Sequence, residues 1–366
     1  MPKLRQPVGF PYLGTVVPVA TELLKVLGNE VVPPTRPTRR TINLGVSSSP
    51  EFACFPLKIL MGTYLELVQR GAATIVATGG VGPCRAGLYA PLHEKMLRSM
   101  GYDVDFLVFE PPRYSYTAFY NTVGQLNACN YSVPRIWQEL KYAWKKLLAL
   151  DEAEKRLHWL RPRELKRGDA DRAYHAAFNR ITSACKSDLD QAILEARAGL
   201  DSVEIDPGRK PLRIGIVGEI YVVLEPASNL GIEKMLGDLG VEVVRSMFIT
   251  GWTRDNAILD SAGITGGVDV KKAARRYLDQ MIGGHGQESV GHAVLAKKHG
   301  LDGIVQLAPF TCIPEIVSRS VMTRLSEDLD VPIMTFFIDE QTGEAGVKTR
   351  LEAFVDMLSR KKKIGR

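Results

Sequence analysis

Residues 302–315 read Asp302-Gly-Ile-Val-Gln-Leu-Ala-Pro-Phe-Thr-Cys-Ile-Pro-Glu315. The run Gly303–Leu307 is typical of a buried strand, because it is short, apolar and closely followed by a proline. Cys312 then lies in a turn, and Pro314 indicates the start of a helix, where proline is favoured. The segment therefore predicts a strand, a turn and a helix in that order, which is the repeating unit of parallel α/β proteins.

The same alternation continues on both sides of this segment. It predicts further strands, with their turns, at residues 8–14, 30–32, 73–78, 104–109, 213–221, 241–244 and 333–338. It predicts helices at residues 17–27, 56–69, 86–99, 229–239, 292–299 and 347–358, and one that begins at Pro314. Such alternation favours parallel sheets with helices on both faces, and ligands at the carboxyl ends of the strands.

Two stretches show a similar order of features. Both LLKVLGNEVV (residues 23–32) and MLGDLGVEVV (residues 235–244) predict a helix, a glycine stop and a strand. The intervening residues 114–200 have few glycines and apolar side chains at helical spacing. The predicted fold class is therefore α/β, with two Rossmann-like lobes built on parallel sheets and a helical insertion between them. A chain of 366 residues is too long for one compact core, and the expected domains are residues 1–113, 114–206 and 207–366.

Composition argues against several classes of protein. The chain has 5 cysteines, which is too few for a secreted disulfide scaffold. No apolar run indicates a signal peptide or a membrane span, so a cytoplasmic location is expected. The net charge of +6 is scattered apart from Arg36–Arg40 and the tail Arg360–Arg366. We expect a solvated loop and a mobile cationic tail there, and no nucleic-acid partner, because no basic stripe or binding motif is present.

Three cysteines occupy the same kind of position. Cys54, Cys84 and Cys312 each precede a predicted helix and have a proline within two residues. A helix N-terminus lowers the pKa of a thiol toward the thiolate, which binds metal, and its free N–H groups can bond to cluster sulfides. A single such cysteine is commonly a buried core residue, but three in one setting favour a metal–sulfur site. No Cys-x-x-Cys pair of a ferredoxin or a zinc ribbon is present.

Other candidate residues have a structural explanation beside the functional one. Three cysteines would leave one iron of a four-iron cluster without a protein ligand. Glu315 could be a catalytic acid or a ligand near that iron, or it could only complement the dipole of its helix. His285 and His292 could be acid–base groups, or parts of a solvent loop and a helix start. Cys129 could be a fourth ligand, whereas Cys185, in a polar helical run, is predicted to be structural.

The remaining motifs favour structure over ligand binding. The glycines at residues 79–82 and Gly218 do not complete G-x-G-x-x-G, and no P-loop is present, so nucleotide binding is not predicted. Glu51 is a further acidic candidate of the same kind as Glu315. Asp339 and Glu340 are predicted to form a polar turn.

At these residues the chain resembles the D-component family of 2-hydroxyacyl-CoA dehydratases, and in particular its activase-related branch. The stretches that carry the resemblance are Val8–Gly14, Gly45–Gly62, Gly82–Cys84, Arg213–Tyr221, Asp302–Glu315 and Ile338–Phe354. The resemblance implies two Rossmann-like lobes with a [4Fe–4S] cluster between them, held by Cys54, Cys84 and Cys312. It also implies an ATP-dependent activator protein, with its own iron–sulfur cluster, that donates a low-potential electron.

Two functions that use a cluster are open at this point. A third alternative is an interaction protein without a cluster. In dehydratases of this family two related subunits form the enzyme, and a thioester is reduced to a ketyl radical before hydroxide leaves. The first function is therefore an iron–sulfur dehydratase or reductase subunit that acts on a small or thioester substrate. The second is a non-catalytic electron-transfer or assembly subunit that presents a cluster to a partner. A homo- or heterodimer is expected, with no membrane partner.

Overall fold

The computed structural model describes residues 4–79, 84–110, 112, 115–259 and 266–364. Its strands form two parallel sheets, one of three strands and one of four, with helices around them. The strands are β1 Val8–Gly9, β2 Thr74–Thr78, β3 Asp105–Phe109, β4 Leu212–Gly218, β5 Val241–Arg245, β6 Gly303–Pro309 and β7 Ile333–Ile338. The predicted fold class is confirmed, since both sheets are parallel and Rossmann-like.

Helices connect and flank the strands. They are α1 Val16–Val26, α2 Arg39–Ser47, α3 Phe55–Gln69, α4 Tyr89–Ser99, α5 Tyr116–Leu126, α6 Val133–Leu160, α7 Asp169–Ser183, α8 Leu189–Asp201, α9 Ile220–Leu224, α10 Ile232–Asp238, α11 Ile249–Thr253, α12 Val268–Ala274, α13 Gly286–Leu295, α14 Ile313–Leu329 and α15 Glu344–Ile364. A 3₁₀ helix, Arg85–Leu88, leads into α4, and a π-helical turn, Arg254–Leu259, follows α11. Within the described residues, no helix combines the length and the apolar character needed to cross a bilayer.

The two sheets share one strand order. The first is β1-β2-β3, with Val31 bridged to β1 on its free side, and the second is β5-β4-β6-β7. In each sheet the chain starts at an inner strand, adds a neighbour on one side and then crosses to the other side. The like order explains the similarity of residues 23–32 and 235–244, which lead into Val31 and β5. In such sheets ligands bind where the order reverses, at the carboxyl ends of the strands, which in the second sheet is the crevice between β4 and β6.

Helix α3 packs against the cores of both sheets. Its residues Phe55 and Ile59 belong to the same buried cluster as Ile214 of β4. Met61, further along the helix, belongs to the cluster of the first sheet together with Ile75 of β2. Because α3 is apolar on nearly all sides, it is buried in the manner of a core helix rather than lying at the surface.

Residues 116–201 form the helices α5–α8, as the helical spacing predicted. Val19 of α1 packs with Leu150 of α6 and Ile181 of α7 in a separate buried cluster. The predicted boundary between residues 113 and 114 lies outside the described residues, and the division of the chain into three domains stays a prediction.

Two predictions of loops were wrong, one because a glycine serves a distant contact and the other because a capping box was not recognised. Helix α13 begins at Gly286, whereas the sequence predicted a glycine-rich loop up to Gly291. A Cβ on Gly286 would lie 2.6 Å from the carbonyl oxygen of Pro314, so the glycine serves close packing. Helix α2 begins at Arg39, within the stretch Arg36–Arg40 that was predicted to be a solvated loop, because Thr38 and Thr41 form a capping box at its start.

Two further predictions need correction at the ends of elements. The short strand and turn predicted over residues 8–14 are present, with the strand at Val8–Gly9, but the strand predicted over residues 30–32 is reduced to a single bridge at Val31. The predicted mobile tail is instead helical as far as Ile364. There Lys361 lies 2.5 Å from Asp330 and Lys362 lies 2.9 Å from Asp302. Phe354 and Leu358 of the same helix are buried in the core of the second sheet.

Candidate functional site

Cys54, Cys84 and Cys312 each directly precede a helix, as predicted. They are the N-cap residues of α3, of the 3₁₀ helix Arg85–Leu88 and of α14. Cys54 and Cys312 are buried and Cys84 is half-buried, and none of the five cysteines forms a disulfide. Gly82 and Pro83, which belong to the Cys84 motif, lie outside the described residues.

The three cysteine turns meet at one place. Burial raises the pKa of the Cys312 thiol, and the nearby charges of Glu219 and Cys54 raise it further. The hydroxyl of Tyr89 contacts the Sγ atom of Cys54. Burial raises the pKa of Tyr89, and the charges of Cys54 and Cys84 both add to that rise. Electrostatic interactions therefore connect Cys54 with Cys312 directly, and they connect Cys54 and Cys84 through their shared neighbour Tyr89.

A network of hydrogen bonds also joins the three turns. Arg85 donates from Nη2 to the carbonyl oxygen of Thr311 at 2.5 Å and from Nη1 to that of Phe52 at 3.4 Å. Thr311 donates from Oγ1 to the same Phe52 oxygen at 3.2 Å. Arg85 directly follows the second cysteine, Thr311 directly precedes the third, and Phe52 lies two residues before the first.

The two buried thiols favour the protonated form. Burial raises the pKa of Cys54, although a hydrogen bond from Tyr89 acts in the opposite direction, and burial raises the pKa of Cys312 strongly. The expectation that helix N-termini would lower the pKa of these thiols was wrong for both. The reason is that desolvation outweighs the helix dipole at a buried position. A metal that binds here must displace protons, which makes its uptake depend on pH.

Glu219 is an acidic residue at this site that the sequence analysis did not identify. It directly follows β4, and its backbone N–H donates to the carbonyl oxygen of Leu307 at 3.2 Å. Gly218 permits this approach, because a Cβ at that position would overlap the same oxygen. Burial raises the pKa of Glu219 to about 7, and its charge acts on both Cys54 and Cys312. The local signal in the sequence was an acid straight after a buried strand and a glycine, but the reversal of strand order that makes this position a ligand site is set by the tertiary structure.

Glu315 lies in a buried network behind Cys312. Its carboxylate accepts hydrogen bonds from Ser289 at 3.1 Å, from Gln306 at 2.8 Å and from Ser318 at 3.2 Å. Burial raises the pKa of Glu315 to about 7, although the hydrogen bonds of Gln306 and Ser289 act in the opposite direction. Both carboxylate oxygens thus have protein partners that join α13, β6 and α14. Its role as a catalytic acid or a ligand stays a prediction.

The two histidine candidates are largely enclosed. His285 is the N-cap residue of α13, and its Nε2 atom accepts a hydrogen bond from Nε1 of Trp252 at 2.9 Å. Burial lowers the pKa of His285 and of His292 to about 4. Both imidazoles are therefore neutral near pH 7, which suits hydrogen bonding rather than a positive charge.

The other two cysteines lie apart from this site. The backbone N–H of Cys129 donates to Leu27 at 3.1 Å, and a Cβ on Gly28 would lie 2.5 Å from its sulfur. Gly28 leads into the first sheet, so Cys129 is at the amino ends of the strands, whereas Cys84 comes after the carboxyl end of β2. Cys185 is exposed and its sulfur lies 3.0 Å from Oδ1 of Asp188.

Exposed apolar side chains surround the cysteine turns. Five large apolar residues that are each at least 46% exposed lie within four residues of one of the three cysteines: Phe52, Leu88, Phe310, Ile313 and Ile316. We call these five residues the apolar rim. Several exposed apolar side chains near one site are typical of a surface that meets another molecule.

The three cysteines supply the ligand type of an iron–sulfur cluster, the thiolate. Among the described residues, no group of three or more His, Cys, Asp or Glu is placed to hold one metal ion. A single zinc ion would need every thiolate within about 2.3 Å of one point, whereas a cluster binds each thiolate on a separate iron. A Cβ on Gly284 would lie 3.1 Å from Pro314 and 3.8 Å from the Cys84 sulfur, so the loop before α13 packs closely against the turns of Cys84 and Cys312.

No protein-family model matches this chain, and a search of curated proteins finds no relative. The resemblance to the dehydratase family therefore stays a prediction carried by the motifs.

Proposed function

We propose that the chain holds a [4Fe–4S] cluster on Cys54, Cys84 and Cys312, as a subunit that resembles those of 2-hydroxyacyl-CoA dehydratases. The observation that supports this most is the hydrogen-bond network of Arg85, Thr311 and Phe52, which joins the three turns that carry these cysteines. A bound cluster would supply a low-potential electron for reductive chemistry. The free thiols that it needs suit a reducing, cytoplasmic location.

Residues beside the thiols would handle protons and hydrogen bonds. Glu219, with a pKa of about 7, can hold or release a proton near neutral pH, which is what a group that assists a departing hydroxyl requires. Tyr89 keeps its proton, because burial and the charge of Cys54 raise its pKa. Its hydroxyl is therefore a lasting donor to the Cys54 sulfur, and such bonds tune the potential of a cluster.

The apolar rim supports a protein partner at this site. We propose that an ATP-dependent activator with its own iron–sulfur cluster docks there and donates the electron, and that the chain works as a homo- or heterodimer. Exposed aromatic and aliphatic side chains around a buried centre are suited to such contacts, because interface cores are apolar and depleted in charge.

The same rim favours a second candidate, a non-catalytic electron-transfer or assembly subunit. The two candidates differ in the fate of the electron after the cluster is reduced. If the activator reduces the chain in the presence of ATP and hydroxyacyl thioesters are then turned over, the chain is a catalytic subunit. Reduction without turnover, in the presence of each candidate partner subunit, would favour the carrier.

Anaerobic reconstitution with iron and sulfide tests the ligand set. Cys54→Ser, Cys84→Ser and Cys312→Ser should each lose most of the bound iron, because a serine hydroxyl replaces a thiolate ligand poorly. Cys185→Ser and Cys129→Ser, which remove exposed thiols, should retain it. Iron analysis measures the loss or retention of iron in each variant, and the electron paramagnetic resonance spectrum of the reduced protein identifies the cluster. A wild-type chain that takes up no iron, or full occupancy in any of the first three variants, would overturn the proposal.

A further inference from the structure

We infer that Arg85 is a positioning residue that keeps the three cysteine turns together, and that it acts through the backbone of Thr311. The inference rests on the proposed function, because a shared cluster is what requires the three turns to stay together. Arg85 is suited to this role because its planar guanidinium carries several donors in a rigid fork.

From the Cys84 turn, the guanidinium of Arg85 reaches both the Cys312 turn and the Cys54 turn. Its Nη2 atom donates to the carbonyl oxygen of Thr311 at 2.5 Å and its Nη1 atom to that of Phe52 at 3.4 Å. The two acceptor turns are also joined directly, since Oγ1 of Thr311 donates to Phe52 at 3.2 Å. Hydrogen bonds to a charged donor are stronger than neutral ones, and Arg85 supplies the charge in this network.

Thr311 has a backbone conformation that needs outside support. Its φ is 65°, a value that a β-branched residue rarely adopts because its Cβ approaches the backbone. Such conformations persist where the surroundings hold them, and they are concentrated at functional sites. The peptide group between Thr311 and Cys312 is held on both sides: its carbonyl oxygen accepts from Arg85, and its N–H donates to Pro309 at 3.0 Å.

These bonds determine where the turns lie more than how stable the chain is. Arg85 is exposed, and polar interactions at exposed positions contribute little to the free energy of unfolding. Loss of its guanidinium should therefore separate the thiols while the melting temperature changes little. A residue with a merely structural role would show the opposite pattern.

Cross-linking of the metal-free, full-length chain tests this. In a Cys54→Ser/Cys129→Ser/Cys185→Ser parent only Cys84 and Cys312 remain, and dibromobimane becomes fluorescent when it alkylates two thiols that lie close together. Arg85→Met should lower the yield of this cross-link roughly tenfold, as expected for the loss of the charge-assisted hydrogen bond to Thr311. Arg85→Lys should give an intermediate yield, because one ammonium group cannot replace both arms of the fork.

Arg39→Met is the matched control. Arg39 also donates to a backbone carbonyl across the molecule, that of Glu340 at 2.8 Å, but it lies away from the cysteine turns and should leave the yield unchanged. A parent that does not cross-link, or an Arg85→Met yield equal to that of the parent, would overturn the inference. If Arg85→Met fails to fold, a folded Arg85→Lys variant with the parental yield would overturn it as well. None of these outcomes involves iron, so they are independent of the test of the proposed function.

Discussion

Arg245 is almost completely buried and is balanced by two carboxylates. It pairs with Glu154 and, at 3.1 Å, with Glu233, which also lies 3.2 Å from Nε2 of His158. Burial acts to raise the pKa of Glu233, but the charges of Arg245 and His158 outweigh it and lower the pKa to about 2. A buried charge is tolerated here because its partners are within hydrogen-bond distance.

The ion pair between Glu233 and Arg245 predicts how the free energy of unfolding decreases at acidic pH. The folded pKa of Glu233 lies below its usual value of 4.5, so its stabilisation is complete above pH 4.5 and is lost as the pH falls toward 2. At 1.36 kcal/mol per pKa unit this is about 3 kcal/mol. Glu233→Gln should therefore be less stable at pH 7 and should show a flatter pH dependence between pH 4.5 and 2, as measured by urea denaturation.

Glu152→Gln is the control for this prediction. Glu152 pairs with Lys155 at 2.6 Å, but its side chain is 69% exposed, so its removal should leave the slope in acid unchanged. If Glu233→Gln retained the wild-type slope, the assignment of that slope to the Arg245 pair would be wrong.

Helices α2 and α3 touch through their backbones, which positions Cys54 at the start of α3. A Cβ on Gly45 of α2 would overlap the carbonyl oxygen of Lys58, and a Cβ on Gly62 of α3 would overlap that of Thr41. Two reciprocal contacts of this kind leave no space for a larger residue at either position. The distance between the two helices therefore depends on both glycines.

Gly45→Ala should force the two helices apart. The expected loss of stability is about 3 kcal/mol, at the upper end for overpacking, because the obstacle is backbone rather than a flexible side chain. Iron uptake by the variant should fall too, since α3 carries Cys54. Denaturant unfolding and iron analysis measure the two effects.

Gly199→Ala on α8 is the matched substitution. It is exposed and has no atom within 4 Å of the added Cβ, so alanine should raise stability by up to about 1 kcal/mol through its better helix propensity. Equal losses from both substitutions would contradict the role given to the α2–α3 contact.

Across the whole molecule, one ion pair connects α3 to the end of the second sheet. Lys58 lies 2.7 Å from Glu340, just after β7, and their side chains are only 5% and 18% exposed. Arg39 donates to the backbone of the same residue at 2.8 Å. The turn predicted at Asp339 and Glu340 is thus also a connection between the first and last parts of the chain.

Lys58→Met should destabilise the chain by about 3 kcal/mol, because it leaves the Glu340 carboxylate enclosed without its partner. The double variant Lys58→Met/Glu340→Gln should recover part of this loss, since the unpaired charge is then removed. A double-mutant cycle measured by urea denaturation gives the interaction energy. Additive losses would mean that the two residues contribute independently.

Much of the fold could be predicted because strands and helices depend on local patterns. The run before Cys312 and the helix after it are present as predicted, and so are the helices of residues 116–201. Helix α2 was missed although its capping box is a local signal, and other predictions failed where a residue served a distant neighbour. Gly286 was interpreted as part of a loop although it packs against Pro314, and the tail lysines were predicted to be mobile although they pair with Asp302 and Asp330.

The candidate site could also be predicted only in part, because some of its features depend on local sequence and others on distant contacts. From the sequence alone, each of the three cysteines could be placed before a helix, because proline and glycine act on their immediate neighbours. The sequence could not identify Glu219 or Arg85 as members of the site, since each acts on residues that are far away in the chain. Nor could it show that Cys54 and Cys312 favour the thiol form.

The order of strands and helices, and the start of a helix after each cysteine, were thus determined by the sequence itself, since backbone hydrogen bonding and side-chain periodicity depend on residues a few positions apart. The meeting of the three turns, the contacts of Arg85 and the raised pKa values of the buried acids and thiols were decided only by the tertiary structure. Burial and electrostatic interactions depend on distance in space, and that distance is set when helices from both ends of the chain pack together.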